Sequence, residues 1–116
     1  MALVSALTVG IGGAVGAVSR YAVGLAVERR ALDTAAVNVA GSFVLGVLVG
    51  ITPANSVALA IGVGFCGAFT TFSSFAVETV SLAEDDGIRS AAVNAVGTLV
   101  AALAAALAGV ALAGTV

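Results

Sequence analysis

The stretch GAFTTFSSF, residues 67–75, sets four hydroxyl side chains, Thr70, Thr71, Ser73 and Ser74, among Phe69, Phe72 and Phe75 within an apolar segment. Hydroxyls placed there either bond back to the preceding helical turn or satisfy backbone groups freed by a break in the helix. Residues 57–83 drawn as one helix would extend roughly 40 Å, against a hydrocarbon core of ~30 Å. Gly62, Gly64 and Gly67 lower helix propensity, and the β-branched pair Thr70-Thr71 follows them. A continuous helix and one broken at about 67–71 are both compatible with this pattern. A break would bare carbonyls at membrane mid-depth, where they can hold a cation. Phe72 and Phe75, three apart, share one face of a resumed helix, with Phe65 and Phe69 before them. Rings at that spacing commonly serve packing, but a ring edge is positive, and edges turned to a polar track would favour a small anion.

Other polar residues lie where lipid is expected. Asn38 and Ser42, four apart, share a helical stripe with Gly41, and Asn94 and Thr98 repeat the pattern beside Gly97. An amide in hydrocarbon needs a partner or a wet cavity. A single Asn is read as interhelical glue, and two stripes beside the hydroxyl-rich run as the lining of a pathway. Arg20 and Glu78 are either snorkelling helix-end residues or guards of a pore mouth.

The elements that must position these residues are apolar spans. Of 116 residues 61% are hydrophobic and 9% charged, far below the ~25% charged content of soluble domains. Spans are expected at about 3–27, 35–51, 57–83 and 90–113, each near the ~20 residues needed to cross a bilayer. The first is read as a span and not a cleaved signal, since it lacks a basic n-region and is too long. Histidine and lysine are absent, which argues against histidine metal sites and histidine catalysis, and the single Cys66 is read as apolar filler. No nucleic-acid surface is indicated at a net charge of −2. Arg29, Arg30 and Arg89 fall in the first and third loops, placing those loops in the cytoplasm and both termini outside. Small-residue pairs, Gly12/Gly16, Gly13/Ala17 and Gly46/Gly50, suit close helix approach within the chain or between subunits. With little interior in four thin helices, at least a dimer is expected.

Taken together, GGAVGAVSRY (12–21), NVAGSFVLG (38–46) and GFCGAFTTFSSF (64–75) closely resemble the CrcB/Fluc fluoride channels, in order and across all four spans. The resemblance implies an all-α membrane protein with a third helix broken near its middle, paired as an antiparallel dimer. It implies a multi-pass protein of the cell membrane that exports fluoride passively through two pores and holds a structural sodium ion at its centre. By position, Phe72 and Phe75 resemble the aromatic pair lining the fluoride path, and Asn38 the amide serving it, with Ser73, Ser74 and Thr98 as further pore hydroxyls. Gly67 and Thr70 match the positions whose backbone carbonyls hold sodium. Arg20 resembles the vestibule arginine and Glu78 the acidic residue beyond the phenylalanines. Asn94 departs from the pattern, standing where many members have Tyr. The one-sided loop arginines suit one half of a heterodimer with an oppositely biased paralogue. The rival reading, a small proton-coupled multidrug exporter, requires a carboxylate deep in the first span, which has none.

Overall fold

The computed structural model describes residues 2–29, 31–51 and 55–115. Arg30, counted above with the loop charges, and residues 52–54 of the second loop lie outside the described residues. Among the described residues, four helical segments are long and apolar enough to cross a membrane. Helix α1 spans Ala2–Ala26 and α2 spans Leu32–Ile51, one turn earlier than the hydropathy pattern places it. The third span is composite: α3 (Ser56–Leu59), a π-helical stretch (Ala60–Cys66) and α4 (Gly67–Phe69) run on to Thr70 and Thr71, after which α5 (Phe72–Asp85) resumes. Helix α6, Ile88–Ala113, completes the chain, which measures 49 × 30 × 22 Å.

Local chemistry explains the helix boundaries. Asn55 caps α3, its side chain accepting from the Ala58 amide at 2.8 Å. Asp33 lies in the first turn of α2, where negative charge complements the helix dipole. Between α5 and α6 the chain turns at Gly87, whose φ of +100° is a conformation that side-chain-bearing residues rarely adopt.

Packing proceeds by close backbone approach and not by large side chains. The buried hydrophobic residues are small or β-branched, Ala31, Val37, Cys66, Ala91 and Ala113. Helix α2 packs chiefly on α6, where a Cβ at Gly46 would run into the Ala106 backbone and one at Gly109 into the Phe43 carbonyl. Helix α1 packs chiefly on the π-helical stretch, Gly12 against Ala60, Gly16 against Phe65, and Gly64 against the Val9 carbonyl. The pairs Gly12/Gly16 and Gly46/Gly50 are therefore occupied within the chain and supply no argument for a dimer. The widened π turns, not foreseen from the sequence, coincide with this contact; such stretches are rare and concentrate at functional sites. Gly16→Val and Gly46→Val should each cost ~1–3 kcal/mol or more by overpacking. A lower thermal midpoint of the detergent-solubilised protein would register it. Gly10→Ala, whose added Cβ meets nothing within 4 Å, should leave the midpoint unchanged or raise it.

Candidate functional site

The site is built around an interruption of two residues. Thr70 (φ −86°, ψ 162°) and Thr71 (φ −152°, ψ 123°) are extended, in the middle of the third span. The break is narrower than the expected 67–71, because Gly67 keeps helical angles (φ −61°, ψ −37°). Its polar groups are rehoused by neighbours. The Asn38 Nδ2 donates to the Thr71 carbonyl at 2.9 Å, and the Thr71 amide donates to Asn38 Oδ1 at 2.7 Å. Thr71 in turn caps α5, its Oγ1 accepting from the Ser74 amide at 3.2 Å and lying 3.3 Å from Ser73 Oγ. Thr70 Oγ1 bonds back to the Cys66 carbonyl at 2.8 Å, and its methyl fits where a Cβ at Gly41 would clash. The hydroxyls thus divide between the two roles open to them, Thr70 returning to its own helix and Thr71 starting the next.

The break also places opposite helix ends face to face. Residues 56–69 end in carbonyls, and α5 begins in amides, so partial negative and partial positive charge meet at mid-span. The amide that would close a helical bond to the Gly67 carbonyl is that of Thr71, which Asn38 takes instead. Among the described residues no cluster of three or more His, Cys, Asp or Glu could hold a metal ion. A cation here would depend on carbonyl oxygens, and the redirected Thr71 amide suits that donor set.

Two cavities flank the break and share Thr71. The first, about 420 Å³, is an apolar groove that gathers Asn38, Ser42, Gly67, Thr70, Phe72, Phe75 and Thr98. Its rings, Phe72 and Phe75, lie 5.8 Å apart between centroids and are tilted by 44°. Phe72 is 79% exposed, so its own chain does not cover it. Thr98 is buried at the groove wall. The second cavity, about 520 Å³, is polar and holds Arg20, Tyr21, Asp33, Thr34, Ser74 and Glu78. Arg20 Nη2 lies 3.4 Å from Ser74 Oγ, and Thr34 Oγ1 donates to Glu78 Oε1 at 2.7 Å. The Glu78 Oε2 is buried without a hydrogen-bond partner.

The candidate residues therefore separate. Phe72, Phe75, Asn38, Thr98, Gly67 and Thr70 share the groove, whereas Ser74 faces the polar cavity with Arg20 and Glu78. Ser73 lies at the start of α5 beside Thr71. Asn94 does not join Thr98 in lining the groove; its Nδ2 donates to Thr79 Oγ1 at 2.9 Å. Thr34 and Thr79 were not singled out in the sequence. Each is a lone hydroxyl one helical step from a residue that was, and only the cross-helix contact reveals its partner.

The sequence model of the family described as CrcB-like protein, Camphor Resistance (CrcB), matches residues 7–110. This chain belongs to the CrcB family. It is 64% identical over 112 residues, 97% of each chain, to a Natronomonas pharaonis protein named fluoride-specific ion channel FluC 2. A Haloarcula marismortui protein of the same name is 50% identical over 105 residues, 89% of this chain and 88% of the relative. A Mycobacterium tuberculosis protein, also so named, is 42% identical over 102 residues, 84% of this chain and 81% of the relative. With four apolar spans, this CrcB chain is a multi-pass membrane protein.

Proposed function

We propose that this chain is a fluoride-selective channel that lets fluoride leave the cell down its electrochemical gradient and so gives fluoride resistance. It acts in conduction, not catalysis. The relatives named as fluoride channels support the ion, and the carrying observation is the groove where the Phe72–Phe75 pair meets Thr71, Thr98 and the amide end of α5. Fluoride is small and strongly hydrated, so removal of its water demands close donors. The Thr98 hydroxyl and the second N–H of Asn38 are suited to supply them, since an amide has two donors and one is engaged by Thr71. Ring edges replace part of the hydration shell weakly, which permits exit.

The pore is completed by a second subunit in antiparallel orientation, a copy of this chain or an oppositely biased paralogue. The exposure of Phe72 supports a covering partner. Two such grooves give two pores per dimer. The Gly67 and Thr70 carbonyls of both subunits would hold a structural sodium ion, which would raise the local potential for anions and bind the subunits together. Arg20 and Glu78 stand at the polar mouth, on a path from the polar cavity to Thr71.

Purified protein in liposomes should release fluoride down its gradient at least about a hundredfold faster than chloride, a barrier difference of ~2.7 kcal/mol. A fluoride electrode measures this without an imposed pH gradient. Equal chloride release, or no release of either ion, would refute the reading.

A further inference from the structure

The fourth span reaches the ring pair through a short hydrogen-bonded chain. Asn94 Nδ2 on α6 donates to Thr79 Oγ1 on α5 at 2.9 Å, and Thr79 Oγ1 donates to the Phe75 carbonyl at 2.7 Å. A hydroxyl has one proton, and that of Thr79 is committed to Phe75, so toward Asn94 it can only accept. The direction of the chain is therefore fixed, from amide to hydroxyl to the backbone of Phe75.

Helix α5 begins at a break and packs chiefly on α6. Apolar packing alone defines the rotation of one membrane helix against another weakly, whereas a directional hydrogen bond selects one angle. Asn94 also lies one helical turn from Thr98, which lines the same groove as Phe75. Fixing Asn94 to the turn that carries Phe75 therefore sets the stretch of α5 bearing the ring against the stretch of α6 bearing Thr98, the two residues that line one groove.

We propose that Asn94, acting through Thr79, is a positioning residue that sets the orientation of the Phe75 ring and thereby the preference of the groove for fluoride over larger anions. The proposal rests on the channel reading for its effect on flux, but its geometric part does not.

Flux and ring orientation are to be measured on the same reconstituted variants. Asn94→Leu and Thr79→Val, close in size to the native side chains, should each lower fluoride efflux roughly three- to tenfold and reduce the fluoride-to-chloride ratio, a loss of about 0.7–1.4 kcal/mol in barrier. The double variant should be no worse than either single one, the signature of one shared interaction. Thr79→Ser, which keeps the hydroxyl, should restore both values. In protein labelled with 4-fluorophenylalanine, the Phe75 fluorine resonance, assigned by its loss in Phe75→Leu, should shift or broaden in Asn94→Leu and in Thr79→Val and stay at its unsubstituted position in Thr79→Ser. Independent, multiplying effects of the two substitutions, or an unmoved Phe75 resonance, would overturn the proposal. If the unsubstituted protein carries no fluoride, the channel reading fails, and the resonance still decides whether Asn94 orients the ring.

Discussion

Phe75→Ile is expected to lower fluoride efflux from liposomes by at least about tenfold, the equivalent of ~1.4 kcal/mol in the conduction barrier. Isoleucine keeps the apolar character of the site and most of the volume, so helix packing is retained, but it has no positive ring edge to present to an anion. Phe72→Ile should act similarly, because the two rings form one tilted pair at 5.8 Å. Phe72 is the more exposed, so its substitution disturbs the folded chain least and tests conduction most directly. The contrast is Phe65→Ile. Phe65 stacks on Phe69 at 5.1 Å and neither ring is among the groove residues. That substitution should lower the thermal midpoint and leave flux per folded protein nearly unchanged. Efflux retained in both Phe72→Ile and Phe75→Ile, with the elution position on size-exclusion chromatography unchanged, would mean that the pair serves packing and that the ion passes elsewhere.

The four spans were legible because a long apolar run between charged loops has few other solutions, and the resulting helices follow the hydropathy pattern closely. The break was only half legible. Excess length and the Gly-rich run argued for an interruption, yet nothing local says that Gly67 stays helical while Thr70 and Thr71 extend. That choice is made from a distance by Asn38, on another helix, whose amide matches the backbone of Thr71 and not that of Gly67. The glycine pairs show the same limit. Their spacing announces close approach, but only the fold reveals that Gly12 and Gly16 meet residues 60–65 of the same chain. Asn94 and Thr98 look equivalent to Asn38 and Ser42 as sequence stripes and differ in use. Asn38 holds a backbone, and Asn94 holds a hydroxyl that holds a backbone. One-dimensional spacing identifies which face is polar. It carries no information on which neighbouring helix supplies the partner.

Asn38→Leu tests whether the break depends on that one amide. Removing it leaves the Thr71 N–H and carbonyl without their partners at mid-span, at ~1–3 kcal/mol for each unsatisfied group, or roughly 2–6 kcal/mol in all. Ordinary interhelical side-chain bonds in membranes average only ~0.6 kcal/mol, because an unfolded helix finds other partners. The larger figure applies here because these are main-chain groups of a non-helical segment, which lipid cannot satisfy. A fall in thermal midpoint well beyond that of a typical polar substitution is therefore expected, together with loss of flux. Asn38→Asp separates the two bonds. It keeps an acceptor for the Thr71 amide, removes the donor to the Thr71 carbonyl and adds negative charge to the groove. As a carboxylate at mid-span with one oxygen facing the Thr71 carbonyl, it should be no more stable than Leu despite the retained acceptor, and fluoride flux should be as low as in Leu through charge repulsion. Ser42→Ala is the matched control, since the Ser42 hydroxyl bonds locally to the Asn38 carbonyl at 2.7 Å and supports no part of the break. A midpoint for Asn38→Leu equal to that of Ser42→Ala would show that the extended conformation of Thr70 and Thr71 is held by something other than the amide, and the site would have to be rebuilt from the Thr71 cap and the packing of Thr70 on Gly41.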